Sequence, residues 1–330
     1  MSAVALSAAF FALSGVSCAK AQDTSIDVDQ GCNEEAASIC KKLSDCAPFL
    51  LQQEFGDEVT CDGQEKQECV AILQADGTGL TSNDASDCAS GLRSQSCDDY
   101  NAGTLVPACG TKPGTLAGGK ACIDSSQCTS GLCKVTSSSP GACGLCSVNP
   151  PGKAGDACTS ATPCDLGLTC AGGFCASGGT AGYSCSDTQP CDEGFACIAP
   201  VVGDGGFTSG DGGSGAACVA LGTAGASCNA ATTPCNTEQG FACDGASHQC
   251  SQIQLAPSDS DCDNNLNQCT GGTCRASPEA GPEAGPDEPR ICIPAATVGQ
   301  SCDVIAGPDC MPPAVCLNKT CTIKQSSSCH

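Results

Sequence analysis

The chain has 330 residues, with 35 Cys, 41 Gly, 19 Pro, no Trp and aromatics at only 3%. Large side chains are too few to fill one core of that size, so several small cross-linked units are expected. The formal charge of −23, from 13 basic against 36 acidic residues, argues against nucleic acid and against electrostatic docking on anionic lipid, which both need basic patches.

Residues 1–21 read as an export signal. Ala3 to Val16 is an apolar run of signal-peptide length, too short to span a bilayer, although no Lys or Arg precedes it. Two processing sites fit. Leu13-Ser14-Gly15-Val16-Ser17-Cys18 reads as a lipobox with Gly15 where Leu is usual, making Cys18 the lipidation site. Ala19-Lys20-Ala21 instead fits small-x-small cleavage, with Gln22 as the new start. The first makes the protein an outer-membrane or cell-surface lipoprotein, the second a secreted one. Setting Cys18 aside leaves 34 of the 35 cysteines, the even number that a fully oxidised framework needs. No later run is apolar enough for a transmembrane helix.

Residues 30–110 predict a small α-helical domain. Asn33 followed by Glu34 and Glu35 suits a helix start, and Ile39, Cys40, Leu43 and Cys46 then share one face. A second helix fits Gln64 to Gln74, with Cys69, Val70 and Leu73 inward, and a third fits Asn83 to Ser94, carrying Cys88 and Leu92. The eight cysteines here predict four disulfides, and the sequence leaves all 105 pairings open.

Residues 118–330 predict six tandem cysteine-rich repeats, at about 118–146, 155–175, 182–218, 225–250, 259–292 and 299–329. A glycine stands three residues before the first cysteine as Gly119, Gly155, Gly182, Gly225 and Gly299; the fifth unit has Asp259 there. Third-to-fourth spacers run 9, 4, 20, 6, 17 and 4 residues, whereas the two earlier spacers stay between 4 and 7. The tight spacers mark a cross-linked frame and the variable one a surface loop. Closing a loop of about a dozen residues removes roughly 2–3 kcal/mol of unfolded-state entropy, which offsets the missing core. The expectation is one short β-hairpin per unit, first cysteine to third and second to fourth. That gives Cys122–Cys133, Cys128–Cys143, Cys158–Cys170, Cys164–Cys175, Cys185–Cys197 and Cys191–Cys218. It continues with Cys228–Cys243, Cys235–Cys250, Cys262–Cys274, Cys269–Cys292, Cys302–Cys316 and Cys310–Cys321. Cys146 and Cys329 are left over, to pair with each other or locally.

A glycine and an apolar residue precede the third cysteine as Gly131-Leu132, Gly167-Leu168, Gly194-Phe195 and Gly240-Phe241. With the earlier glycine this pattern resembles the Dickkopf N-terminal cysteine-rich domain, and more loosely insulin-like-growth-factor-binding-protein and antistasin-type hairpins. The whole chain resembles secreted lipoproteins of soil bacteria bearing such repeats. The resemblance implies an extracellular disulfide module and no particular activity; the fifth and sixth units lack the Gly-Leu signature.

Two loops stand out by composition: the Gly/Asp tract at 203–215 and the acidic EAGP arm at 277–290, both extruded between third and fourth cysteines. Chemistry-bearing residues are sparse. Cys143-Gly144-Leu145-Cys146 lacks the βαβ context of a redox motif and the second pair of a zinc site, so it reads as framework. His248 and His330 are the sole histidines, too few and too badly placed for a catalytic triad. Asp259, Asp261 and Asp263 alternate as in a calcium loop, but the EF-hand Gly and Glu are missing, leaving calcium a weak candidate cofactor and a solvated turn the plainer reading. Asn318-Lys319-Thr320 matches a glycosylation sequon. The function expected is a non-enzymatic, disulfide-rich spacer and interaction module at the cell surface, with a protein or surface glycan as partner and membrane contact only through a lipid anchor. The alternative is a protease-inhibitor-like or toxin-like effector.

Overall fold

In the computed structural model the described residues are 26–329, leaving out 136–141, 160–162, 166–167, 172, 180–181, 186–190, 192–193, 199–215, 230–232, 264 and 277–289. The export signal with Cys18, His330 and nearly all of the two extruded loops fall outside them. The protein is small and disulfide-rich in build, a helical N-terminal region followed by many short antiparallel hairpins, with 17 disulfides. No helix among the described residues is long and apolar enough to cross a membrane.

Helix α1 spans Val28–Cys46, starting more than a turn ahead of Asn33. Asp27 stands at its N-cap and Asp29 in its first turn, so the acidic start is met earlier, and Asn33 donates from within the helix to Asp29 Oδ2 at 3.2 Å. Helix α2, Pro48–Glu54, opens with proline at its first position. Helix α3, Glu58–Leu73, is capped by Asp57, whose carboxylate accepts from the Thr60 N–H at 2.7 Å. Helix α4, Ser82–Ser94, carries a reciprocal capping box between Thr81 and Asp84. A five-residue α5, Cys97–Asn101, follows.

Cys32–Cys69 and Cys40–Cys61 tie α1 to α3, Cys46–Cys97 ties α1 to α5, and Cys88–Cys109 ties α4 to a 3-10 turn at Pro107–Cys109. Between these staples lies the main apolar core, in which Leu43, Leu51 and Phe55 surround the Cys40–Cys61 bridge. Ala47 joins them from the helical region, and Met311 comes from the far end of the chain.

The hairpin series begins with a three-stranded sheet in the order β1-β3-β2, built from β1 (Ala121–Cys122), β2 (Cys133–Lys134) and β3 (Gly144–Cys146). Antiparallel pairs follow: β4 (Thr169–Ala171) with β5 (Phe174–Ala176), β6 (Phe195–Ile198) with β7 (Ala217–Ala220), and β8 (Phe241–Asp244) with β9 (Gln249–Gln252). A parallel pair, β10 (Gln254–Ala256) with β11 (Asn267–Cys269), leads to β12 (Gly272–Ala276) with β13 (Arg290–Pro294), and β14 (Val315–Leu317) with β15 (Thr320–Thr322) ends the series.

One geometry recurs through the hairpins. The third cysteine faces the fourth across the strands, as Cys170 faces Cys175 and Cys243 faces Cys250. The residue three before the first cysteine is left-handed and donates its N–H to the carbonyl of the fourth. Gly155 does so at φ +85° to Cys175 at 2.8 Å, and Asp259 at φ +63° to Cys292 at 2.9 Å. Aspartate tolerates that conformation where most side chains do not, so Asp259 fills the turn position that glycine holds elsewhere.

The first hairpin corrects the expected pairing. Cys128 joins Cys146 and not Cys143, while Cys143 joins Cys329. Cys146 lies opposite Cys133 in the sheet, and its carbonyl accepts from Gly119 at 2.8 Å, so it holds the fourth-cysteine position. Cys143 lies one residue before β3 and is left for the long bridge. The other pairs are Cys122–Cys133, Cys158–Cys170, Cys164–Cys175, Cys185–Cys197 and Cys191–Cys218. Further along the structure joins Cys228–Cys243, Cys235–Cys250, Cys262–Cys274, Cys269–Cys292, Cys302–Cys316 and Cys310–Cys321.

The chain does not run outward from its helices. It leaves beside them, with Gly79 N–H donating to Ser126 O at 2.7 Å and the Gln127 side chain, fully buried, donating to Asp76 O at 2.7 Å. It comes back at α2, where Gly271 N–H donates to Gln52 O at 2.9 Å and Gln53 Nε2 donates to Gln268 Oε1 at 2.6 Å. Met311 then enters the helical core, and Cys143–Cys329, 186 residues apart in sequence, clasps the end of the series to its start.

Candidate functional site

That return path leaves a groove of about 530 Å³ between α3 and the last hairpin. One wall is a single face of α3: Lys66, Gln67, Val70, Ala71 and Gln74, spaced by three or four residues as one helical stripe requires. The facing wall is Val298, Val315, Leu317 and Ile323, followed by Lys324 and Gln325. Ile323 and Val298 pack against the buried Cys302 and Cys321 beneath the groove, so the disulfide frame supports that wall directly. The clasp cysteine Cys329 is only four residues beyond Gln325. A cavity of this size, largely apolar with a few polar groups around it, has the character of a small-molecule or peptide-anchor site.

Electrostatics differ across α3. Lys66 pairs with Asp29 of α1 at 2.7 Å, and the Lys66 ammonium holds the Asp29 carboxyl below its usual range. Burial pushes the Glu65 carboxyl of the same helix up to about 7, with Glu68, Glu35 and Glu54 adding like-charge repulsion. Burial likewise pushes Glu35 up to about 7, and raises Glu68, which also feels Asp124. Lys324 acts the other way on Glu68, lowering it. A second, smaller cavity of about 160 Å³, lined by Glu68, Asp124, Pro313 and Lys324, adjoins these acids.

No protein family, curated protein or solved structure matches the chain. The site therefore has to be read from its own chemistry.

The sequence-derived candidates are placed as follows. Every cysteine from Cys32 to Cys329 is disulfide-bonded. In several hairpins three sulfurs crowd within 4.8 Å, as with Cys122, Cys128 and Cys146, but each is oxidised and none is a thiolate able to bind a metal. Asp259, Asp261 and Asp263 are all exposed. Asp259 serves the turn described above and Asp261 bridges to Ile291. The Asp263 carboxylate accepts from the Asn265 N–H, the Asn267 N–H and Asn267 Nδ2 at 2.8, 2.8 and 3.0 Å, which holds it below its usual range despite the opposing effect of burial. Its oxygens close a local turn. His248 has φ +54° at the end of the β8–β9 turn, and its carbonyl accepts from Cys228 at 2.8 Å, a structural role. Asn318 and Lys319, both at positive φ, form the two-residue turn of β14–β15 and present the sequon at the surface.

Sequence reasoning missed the groove. It placed Val70 on an inward helical face, but the opposite wall lies some 245 residues further on, and no local pattern links the two. The one available signal was the alternation of Val315 and Leu317 in a hairpin too small to need exposed aliphatic side chains.

Proposed function

We propose that the chain is a non-enzymatic exported protein whose disulfide units form a closed body around the helical domain and serve as an interaction module, with the α3 groove as binding site. The observation that carries this is the groove itself, an open apolar surface assembled from the two ends of the chain and fixed by a dedicated cross-link. Six repeats at 118–146, 155–175, 182–218, 225–250, 259–292 and 299–329 supply the frame, and their variable loops supply further display surface. The dense disulfides are the chemistry of an oxidising compartment. Cys18 as a lipid anchor would hold the module on the outer membrane or cell surface, and palmitate labelling of wild-type protein against Cys18→Ser tests that address.

The groove is tested with Nile red, a nonionic apolar dye whose emission reports burial. Saturable binding by wild-type protein and its loss in Leu317→Asp support the reading. An identical response from both proteins overturns it.

One observation favours an inhibitor-like second reading. The loop at 303–309 is held by Arg275, whose Nη2 pairs with both Asp309 oxygens at 2.6 Å and whose Nη1 donates to Ile305 O at 2.7 Å. Asp303 braces it from within by accepting from the Ile305 and Ala306 N–H groups at 2.9 and 3.0 Å. Val304 and Ile305, 54% and 85% exposed, are thereby presented with their ordering cost already met. A protease panel in which nothing is inhibited removes this reading.

A further inference from the structure

The chemistry of the groove walls narrows what they can hold. The chain carries 36 acidic residues against 13 basic ones, yet two of the 13, Lys66 and Lys324, line this one cavity, and no acid lines it. Lys66 already has Asp29 as a partner. Lys324 forms no salt bridge among the described residues; it stands where this groove adjoins the smaller cavity that Glu68 and Asp124 line.

Most of the remaining lining is aliphatic, with Val70 and Ala71 on the helix and Val298, Val315, Leu317 and Ile323 opposite, and Gln67, Gln74, Thr322 and Gln325 are its uncharged polar side chains. An extended peptide laid along the aliphatic part would bring a backbone N–H and C=O at every residue against hydrocarbon, more polar groups than the four uncharged polar side chains of the lining can serve. A saturated chain brings no such groups. It gains from burying each methylene, and it needs one charge-complementary contact to fix its direction.

Resting on the reading of this groove as the binding site, we propose that it takes a single-chain anionic amphiphile of the medium- to long-chain carboxylate class. The aliphatic tail lies against Val70, Val315, Leu317 and Ile323, and the carboxylate pairs with Lys324.

The test uses the full oxidised protein and a homologous series of decanoate, dodecanoate and tetradecanoate, all below their micellar concentrations, followed by calorimetry. Affinity should rise about two- to fourfold per added methylene until the groove is filled, the upper figure being a fully buried CH₂ and the lower one a half-open wall. Dodecyltrimethylammonium and methyl dodecanoate should bind more weakly than dodecanoate. Lys324→Glu should cost dodecanoate about fivefold or more while leaving methyl dodecanoate unchanged. Leu317→Asp, at a position 39% exposed and so tolerant of substitution, should abolish tail-length dependence, with circular dichroism and unreduced mass checking its fold. The inference fails if dodecanoate does not bind, or if cationic and anionic amphiphiles bind alike. If that happens while Nile red still binds and still responds to Leu317→Asp, the groove stands and only the ligand class falls; if Nile red fails too, both fall.

Discussion

Replacing Cys143 and Cys329 together by Ser removes the one bridge that joins the start of the hairpin series to its end. Taken alone, a bridge across 186 residues would withdraw about 5 kcal/mol of unfolded-state entropy. The remaining sixteen disulfides already shorten that path, but the dependence on length is logarithmic, about 0.6 kcal/mol per halving. A cost of roughly 4 kcal/mol is therefore the working figure. It should fall on the seam, because each hairpin keeps its own two staples. Hydrogen exchange read by mass spectrometry is the suitable assay, since a chain of many stapled units need not unfold in one step. Amides of α3 and of residues 315–325 should lose up to about a thousandfold in protection, the equivalent of 4 kcal/mol. The β4–β5 and β8–β9 hairpins should exchange as in the wild type. Wild-type protection at the seam, or a loss spread evenly over all hairpins, would refute the reasoning.

Three further outcomes follow from named residues. Glu35 and Glu65 have folded-state values of about 7 against an ordinary 4.5, so their protons bind more tightly in the folded protein. Their stabilising effect is complete below about pH 4.5 and is lost as pH rises through 7, at most about 3 kcal/mol per group and not additive between coupled carboxyls. The melting temperature should thus drop between pH 5 and pH 8, and Glu65→Gln should raise it at pH 8 while changing it little at pH 5. Asp259→Gly should be neutral or slightly stabilising, whereas Asp259→Val should cost about 1–3 kcal/mol in urea unfolding, because a β-branched residue resists φ of +63°. Met311→Ala should cost about 2–5 kcal/mol and weaken α2 and α3 along with its own hairpin, seen as shared loss of amide protection; loss confined to residues 296–323 would mean that the helical core does not depend on it.

What the sequence disclosed and what it hid divide by range. Cysteine spacing is local information, and the tight spacers that place Cys158, Cys164 and Cys170 in register reflect loops too short to pair otherwise. The third-to-fourth spacer is free to vary, so it could not decide between Cys143 and Cys146; that choice depends on which residue stands opposite Cys133 in a sheet. Helix starts slipped for a related reason. Asn33-Glu34-Glu35 and Asp27-Val28-Asp29 both present acidic starts, and only packing under the Cys32–Cys69 bridge selects the earlier one. The Asp259, Asp261 and Asp263 alternation read most plainly as a solvated turn, with calcium a weak alternative, because side-chain charge is visible in sequence and φ is not. Asp259 proves to be a turn residue and Asp263 a cap for its own loop. The groove was invisible because Val70 and Val315 meet only after the hairpin series has come back to α3.

That return is the central claim, and disulfide mapping of unreduced protein tests it most directly. Trypsin should release residues 325–330, with Cys329, linked to residues 135–153, with Cys143 and Cys146, and through Cys146 to residues 121–134, with Cys128. Fragmentation should assign Cys143 to Cys329 and Cys146 to Cys128. Recovery of residues 325–330 with a free thiol, or linked to a second copy of the chain, would contradict the closed circuit and the groove that depends on it.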